Sequence, residues 1–184
     1  MTMMLSGAYV TPEEGVPMLT DIAHGLAKMP RFGGQTLFDW TVADHLNICM
    51  RYAVQCGEEP LLVLQIGMHD AHEALTSDIT TDFKTPDMRK LQAKLDTRLY
   101  GFFGVPLPDM LGSIRVKTYD LNALLAESFV VCPRHTYEKI RGELGGMPAN
   151  PSLVDLIQRY IHEDVASGRE WLRHINFLRN GGTP

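Results

Sequence analysis

PLLVLQIGMHDAHEALT, residues 60–76, is apolar nearly all round at its start and densely ionisable at its end. Pro60 suits the first turn of a helix, where its missing N–H costs nothing. A helix without a polar face is one buried on every side, so this stretch predicts a central helix over 60–76. Its continuation MHDAHEALTSD (68–78) then sets His69, His72, Asp70, Glu73 and Asp78 against that core. Carboxylates are seldom fully buried unless something pairs with them, and a divalent cation is one such partner. His69 and Asp70, about 100° apart around a helix axis, can converge on an ion lying between them. Glu73 returns to the face of His69 one turn on.

Working outward, the segments between Gly and Pro also read as helices. Val42, Leu46, Cys49/Met50 and Ala53 follow one helical face. Thr41 and Asp44 form a capping box at its start, with the shorter Asp in place of Glu. Met88, Leu91, Leu95, Leu99 and Phe102/Phe103 make a second stripe, stopped by Gly104 and Pro106. Pro108 can open the next helix, with Leu111, Ile114, Leu121, Leu124/Leu125 and Phe129 inward. Two shorter helices are expected over 153–160 and 171–178, after the loop GELGGMPANP (142–151). No period-two run argues for a strand. The expectation is an all-α bundle of six or seven helices in one domain over 1–184.

Composition sets the outer limits. At 184 residues the chain can bury a substantial core. A net charge of −5 argues against a nucleic-acid-coating surface, which would carry a basic stripe. Cys49, Cys56 and Cys132 form no CxxC pair, which suits a reducing cytosol. The first residues, MTMMLSGAYVTPEEG, lack the pattern of a signal peptide. The apolar run 61–64 with Ile66 is far short of the ~20 residues a membrane span needs. A cytoplasmic protein with no membrane and no nucleic-acid partner is expected.

Two further polar side chains sit on otherwise apolar helix faces. His45 lies in the first turn of the preceding helix (TVADH), and Asp120 interrupts the inward pattern of IRVKTYDLNALL. Singly, each residue has a structural reading: a hydrogen-bonded core histidine, a turn-capping Glu73, an Asp78 at an N-cap. Jointly, H45…H69-D70…D120 spread over three helices is a pattern of metal ligands. Two imidazoles with two carboxylates suit Mn, Fe, Co, Ni or Zn better than calcium or magnesium alone. Four protein ligands on a six-coordinate ion leave room for water and a substrate oxygen, as metal-assisted hydrolysis requires.

On these residues the chain resembles the HD-domain metal phosphohydrolases, and within them a compact branch of bacterial 5′-deoxynucleotidases and phage DatZ-type dATP triphosphohydrolases. The stretches that carry the resemblance are DIAHGLAKMPRFGG (21–34), WTVADH (40–45), MHDAHEALTSDITTDFK (68–84) and IRVKTYDLNALLAES (114–128), so it is clearest over 20–130. It implies an all-α HD domain with His45, His69, Asp70 and Asp120 as metal ligands. Glu73 would be the catalytic carboxylate that orients or deprotonates the attacking water. Asp78 would be a second acid that assists this water or binds the sugar. Arg31, Lys84 and Lys117 would contact phosphate oxygens, and Phe32 would pack against a sugar with no room for a 2′-hydroxyl. His72 replaces the small residue usual between the two acidic positions and is not assigned as a ligand.

The implied activity is hydrolysis of 2′-deoxynucleotide phosphate esters, foremost release of triphosphate and deoxynucleoside from dATP or another dNTP. The short link from RFGG to QTLFDW favours that version. The alternative is a 5′-deoxynucleotidase converting dNMP to deoxynucleoside and phosphate. Lower stand another phosphate ester, such as a guanosine alarmone, and a non-catalytic metal-binding HD domain. The resemblance also implies a divalent transition metal (Co, Mn, Zn, Fe or Ni), an additional Mg on a triphosphate substrate, and a homo-oligomer, dimer or hexamer. For a phage-encoded protein the compartment would be the host cytoplasm.

Overall fold

Helix starts follow the capping chemistry of the sequence. A computed structural model describes residues 2–163 and 165–183. Its helices are α1 (Leu19–Leu26), α2 (Val42–Gln55), α3 (Pro60–Met68), the single turn α4 (Glu73–Thr76), α5 (Pro86–Phe102), α6 (Met110–Val131), α7 (Arg134–Glu143), α8 (Pro151–His162) and α9 (Ser167–Arg179). Proline opens α3, α5 and α8. At α2 the expected capping box forms: Asp44 N–H donates to Thr41 Oγ1 at 3.3 Å, and Thr41 N–H donates to Asp44 Oδ2 at 2.8 Å. Among the described residues the only sheet pairs Thr2–Met3 with Tyr9–Val10, antiparallel. No helix among them is long and apolar enough to cross a membrane.

The fold is all-α, and α3 is its axis. Residues 62–68 are all buried, as the lack of a polar face predicts. Helices α2, α6 and α9 pack around it. A Cβ on Gly67 would meet the ends of the Met50 and Ile175 side chains, which would have to shift to admit it, so glycine suits this close approach of α2 and α9. Trp171 Nε1 seals the contact by donating to the Gly67 carbonyl at 2.7 Å.

Three expectations need correction. The stretch 60–76 is not one helix: α3 stops at Met68, a turn covers 69–72, and α4 resumes at Glu73. His69 Nδ1 takes the Ile66 carbonyl at 2.7 Å, the acceptor that an unbroken helix would offer to the Asp70 N–H. The chain then tightens through three-residue bonds, Ala71 N–H to Met68 and Glu73 N–H to Asp70, at 3.0 and 2.9 Å. Helix α6 begins at Met110 with Asp109 as its cap, whose carboxylate accepts from Gly112 N–H at 2.7 Å. Its Leu111, Ile114 and Phe129 point to solvent, while Val116, Ala123 and Glu127 are buried. Leu125 is buried as expected, but around it the inward face of α6 also carries small and polar residues, Ala123, Ala126, Glu127 and Ser128, where bulk alone would not place them. Last, α7 forms where no helix was expected, and with α1 it brings the helices of eight residues or more to eight among the described residues.

Candidate metal centre

The capping box fixes the first turn of α2, and that turn carries His45 fully buried into the bundle. Its Nδ1 lies 2.8 Å from Glu127 Oε1, a carboxylate on α6 that is itself fully buried. The carboxylate can only accept, so Nδ1 holds the hydrogen and Nε2 is left with a lone pair. His69 is fixed alike, Nδ1–H to the Ile66 carbonyl, Nε2 free. The two Nε2 atoms face each other at 3.4 Å. Asp70 Oδ2 stands 3.3 Å from His69 Nε2 and 3.8 Å from His45 Nε2; Asp120 Oδ1 stands 3.8 and 3.4 Å from the same atoms.

One ligand atom from each of these four residues lies within 4.8 Å of the other three. With both imidazoles neutral, four acceptors face one another with no donor between them, an arrangement that a shared cation satisfies. Ligands ~2.0–2.2 Å from a tetrahedrally placed ion would be ~3.3–3.6 Å apart, close to the spacings here. The donor set therefore fits a divalent transition metal, and Glu127 and the Ile66 carbonyl act as the outer partners that orient ligating imidazoles.

Electrostatics point the same way. Burial opposes protonation of His69, yet Asp70 and Asp120 raise its imidazole well above the usual 6.5. Burial and then Arg31 oppose protonation of His45, and its anionic neighbours, Glu127 and Asp120 included, raise it too. Burial pushes the Asp70 and Asp120 carboxyls up, but the imidazoles hold both below the ordinary carboxylate range. Without a cation the cluster balances its charge with protons on its histidines, and an incoming ion must displace them. We expect Mn²⁺ to bind more tightly as pH rises through neutrality, with protons released on loading. Titration calorimetry in two buffers of different ionisation enthalpy measures this; a pH-independent affinity with no proton release would contradict it.

Arg31 is buried between carboxylates, with Nη1 3.7 Å from Asp70 Oδ2 and Nε 3.4 Å from Glu127 Oε2. It ties one ligand to the residue that orients another. The loop that delivers it is closed by the Pro30–Thr41 bridge and an Arg31 N–H bond to the Trp40 carbonyl at 2.9 Å. Phe32 (φ 54°, ψ 29°) and Gly33 (φ 60°, ψ 25°) are both left-handed, as is Gly34. Such a conformation costs a bulky residue about 1–3 kcal/mol; the two glycines adopt it freely. Phe32 is half-buried against the core, its ring 5.5 Å from the Arg31 guanidinium.

Glu73 is 2% exposed, with one oxygen in the same close group as Asp70 and Oε1 3.7 Å from Lys84 Nζ. Burial, with Asp70 and Asp78 beside it, pushes its carboxyl up to about 9. Burial raises Asp78 as well, with Arg31 acting against the shift and Asp70 adding to it. Lys117 stands on the rim, its ammonium 2.6 Å from Asp120 Oδ2. A cavity of about 260 Å³ opens beside the centre, lined by His69, Asp70, Asp96, Tyr100, Lys117 and Asp120 among others. Phe32 is not in its lining. Glu127 and Asp96 were not singled out from the sequence. Glu127 had a signal: it follows Asp120 by seven residues, two turns along one face.

No family model matches the chain. A curated protein of Escherichia coli (strain K12), YfdR, described as uncharacterized, is 32% identical over 112 residues, 60% of this chain. The match spans 58% of that relative's length. A solved structure of the HD phosphohydrolase DatZ of cyanophage S-2L, bound to dA and one catalytic Zn²⁺ ion, aligns over 87% of this chain and 95% of that one. The TM-score is 0.49 and the identity 18%.

Proposed function

We propose that this chain is an HD-domain metal phosphohydrolase that cleaves 2′-deoxynucleotide phosphate esters, foremost dATP or another dNTP with release of triphosphate. The observation that carries the reading is the acceptor-only cluster of His45, His69, Asp70 and Asp120 beside a buried carboxylate and an open cavity. A divalent ion there would polarise a phosphoryl oxygen and acidify a water. Glu73, next to Asp70, takes the proton of the attacking water once a divalent ion beside it has displaced the proton it carries in the metal-free fold. Asp78 assists it or holds the sugar. Lys84 and Lys117 offset the charge that grows on the phosphoryl oxygens in the transition state. Phe32, against the sugar, disfavours a 2′-hydroxyl.

Arg31 bears on the choice of substrate. Its guanidinium is already engaged by Asp70 and Glu127, which leaves two lysines for the phosphates. A monophosphate needs fewer cations than a triphosphate tail, so this supports a second reading, a 5′-deoxynucleotidase acting on dNMP. Incubation with Mn²⁺ or Co²⁺ and a panel of four dNTPs, four dNMPs and the matching ribonucleotides separates the two by product. Triphosphate with deoxynucleoside is the expected result. Orthophosphate from dNMP alone selects the second reading. No turnover of any deoxynucleotide by metal-loaded protein would overturn both.

A further inference from the structure

We propose that a cavity between the N-terminal hairpin and α5 binds a small uncharged molecule with an apolar body and one hydrogen-bond acceptor, which Gln92 recognises. The inference is independent of the metal centre and of the proposed function. The cavity measures about 260 Å³. Its walls come from the hairpin arm (Val10, Thr11), the segment around α4 (Leu75, Ile79) and α5 (Leu91, Leu95). None of its lining residues belongs to the cavity beside the metal centre. Polar bonds fix the arm. Arg98 donates to the Thr11 and Gly15 carbonyls at 2.7 and 2.9 Å, and Lys94 Nζ donates to Glu13 Oε1 at 2.8 Å. Ser6 N–H and Oγ–H donate to the buried Asp21 carboxylate at 2.9 and 2.7 Å. Held at those points, the arm spans the apolar side chains beneath it and keeps the cavity open.

The lining sets the chemistry of the ligand. No Asp, Glu, Lys, Arg or His is part of it, so an ion brought there would lose its water without gaining a partner. Val10, Leu75, Ile79, Met88, Leu91 and Leu95 supply an apolar surface. Two threonines of the wall are already engaged: Thr11 Oγ1 accepts from the Glu14 N–H at 2.9 Å, and Thr76 Oγ1 donates to the His72 carbonyl at 3.3 Å. Gln92 is 7% exposed, and its Nε2 has no hydrogen-bond partner among the described residues. Buried donors are rarely left so. A carbonyl oxygen on a ligand satisfies it, whereas a water needs two to four polar partners, more than this amide offers among aliphatic side chains. A cavity of about 150 Å³ holds benzene, so one of about 260 Å³ suits about ten non-hydrogen atoms. Leu75, Thr76 and Ile79 flank the left-handed Ser77 (φ 71°), in the segment that carries Glu73 and Asp78, so an occupant rests on that turn.

The test is a titration of the full chain with acetophenone, followed by heteronuclear NMR. Saturable shifts are expected at the amides of Val10, Leu75, Leu91 and Leu95, with the Gln92 side-chain NH₂ signals moving downfield. α-Methylstyrene, which has CH₂ in place of the carbonyl oxygen, should bind about two- to tenfold more weakly. Benzoate, of like size but charged, should not bind at equal concentration. Gln92→Leu should lose the preference for acetophenone over α-methylstyrene, and Leu91→Trp, which fills the cavity, should lose both. No saturable shift at these residues overturns the site. Equal affinity for the two probes in the unmodified chain, or the preference kept in Gln92→Leu, overturns recognition by Gln92 and the proposal with it. Benzoate binding as tightly as acetophenone overturns the uncharged class. None of these readings uses turnover or metal, so each leaves the proposed function standing.

Discussion

Asp120→Ala is expected to abolish metal binding and activity together while the helical fold persists. Its carboxylate would supply one of two anionic ligands, at 3.4 Å from His45 Nε2 and 3.8 Å from His69 Nε2. Apart from those two imidazoles its bonded neighbour is Lys117, an exposed side chain that loses little when released. None of the buried apolar side chains that build the core is touched. The loss is therefore local: three ligands instead of four, with one carboxylate left to balance a divalent charge. Metal analysis after gel filtration, turnover of a deoxynucleotide and far-ultraviolet circular dichroism read the three parts separately. Stoichiometric metal with full activity in this variant would remove Asp120 from the ligand set.

The four candidate ligands were legible because each breaks an apolar pattern, and a broken pattern needs no knowledge of the fold. What surrounds them was not. Glu127 lies in a run, LLAESF, where one acidic residue looks like ordinary helix surface; its spacing from Asp120 puts it on the same face, and the packing of α6 on α2 supplies its partner, His45. Arg31 was assigned to phosphate from the resemblance at RFGG, and the ion pairs with Asp70 and Glu127 that the fold gives it were not visible there. Whether a guanidinium reaches solvent or turns inward depends on the backbone at 32–34, where a left-handed phenylalanine is invisible to spacing rules.

The misread elements have a common cause. Periodicity assumes that the helix continues and that the bulkiest side chains face inward. At His69 the side chain competes with the backbone for the Ile66 carbonyl, so the site itself ends the helix. On α6 the polar residues needed at the centre force small neighbours, Ala123 and Ala126, onto the buried face and leave Leu111 and Ile114 outside. Helix α7 buries mainly Tyr137, too little apolar surface to announce a helix. The polar cluster overrode pattern at the first two places, and a candidate site is where a sequence reading is expected to fail.

Glu73→Gln should remove most of the rate and at the same time stabilise the metal-free protein. The amide keeps the shape of a side chain that is 2% exposed, so packing changes little. It cannot take a proton from water, and a positioned general base contributes ~10²–10⁴-fold. The ion held by His45, His69, Asp70 and Asp120 should remain, since Glu73 is outside that group. Stability follows from the raised carboxyl, about 9 in the fold against an ordinary 4.5. Between those values the unfolded chain has given up this proton and the folded chain keeps it. The native state then binds more protons, and its stability falls as pH rises through that window. Gln carries no such proton, so the variant should gain on the parent from about pH 4.5 to 9. Denaturant titrations of both metal-free proteins at pH 5 and pH 8.5 measure that gain, and single-turnover rates of the loaded proteins measure the loss. A purely structural Glu73 would lose rate and stability together. A rate drop of only a few-fold would hand the proton to Asp78, the other raised carboxyl beside Arg31 and Lys84.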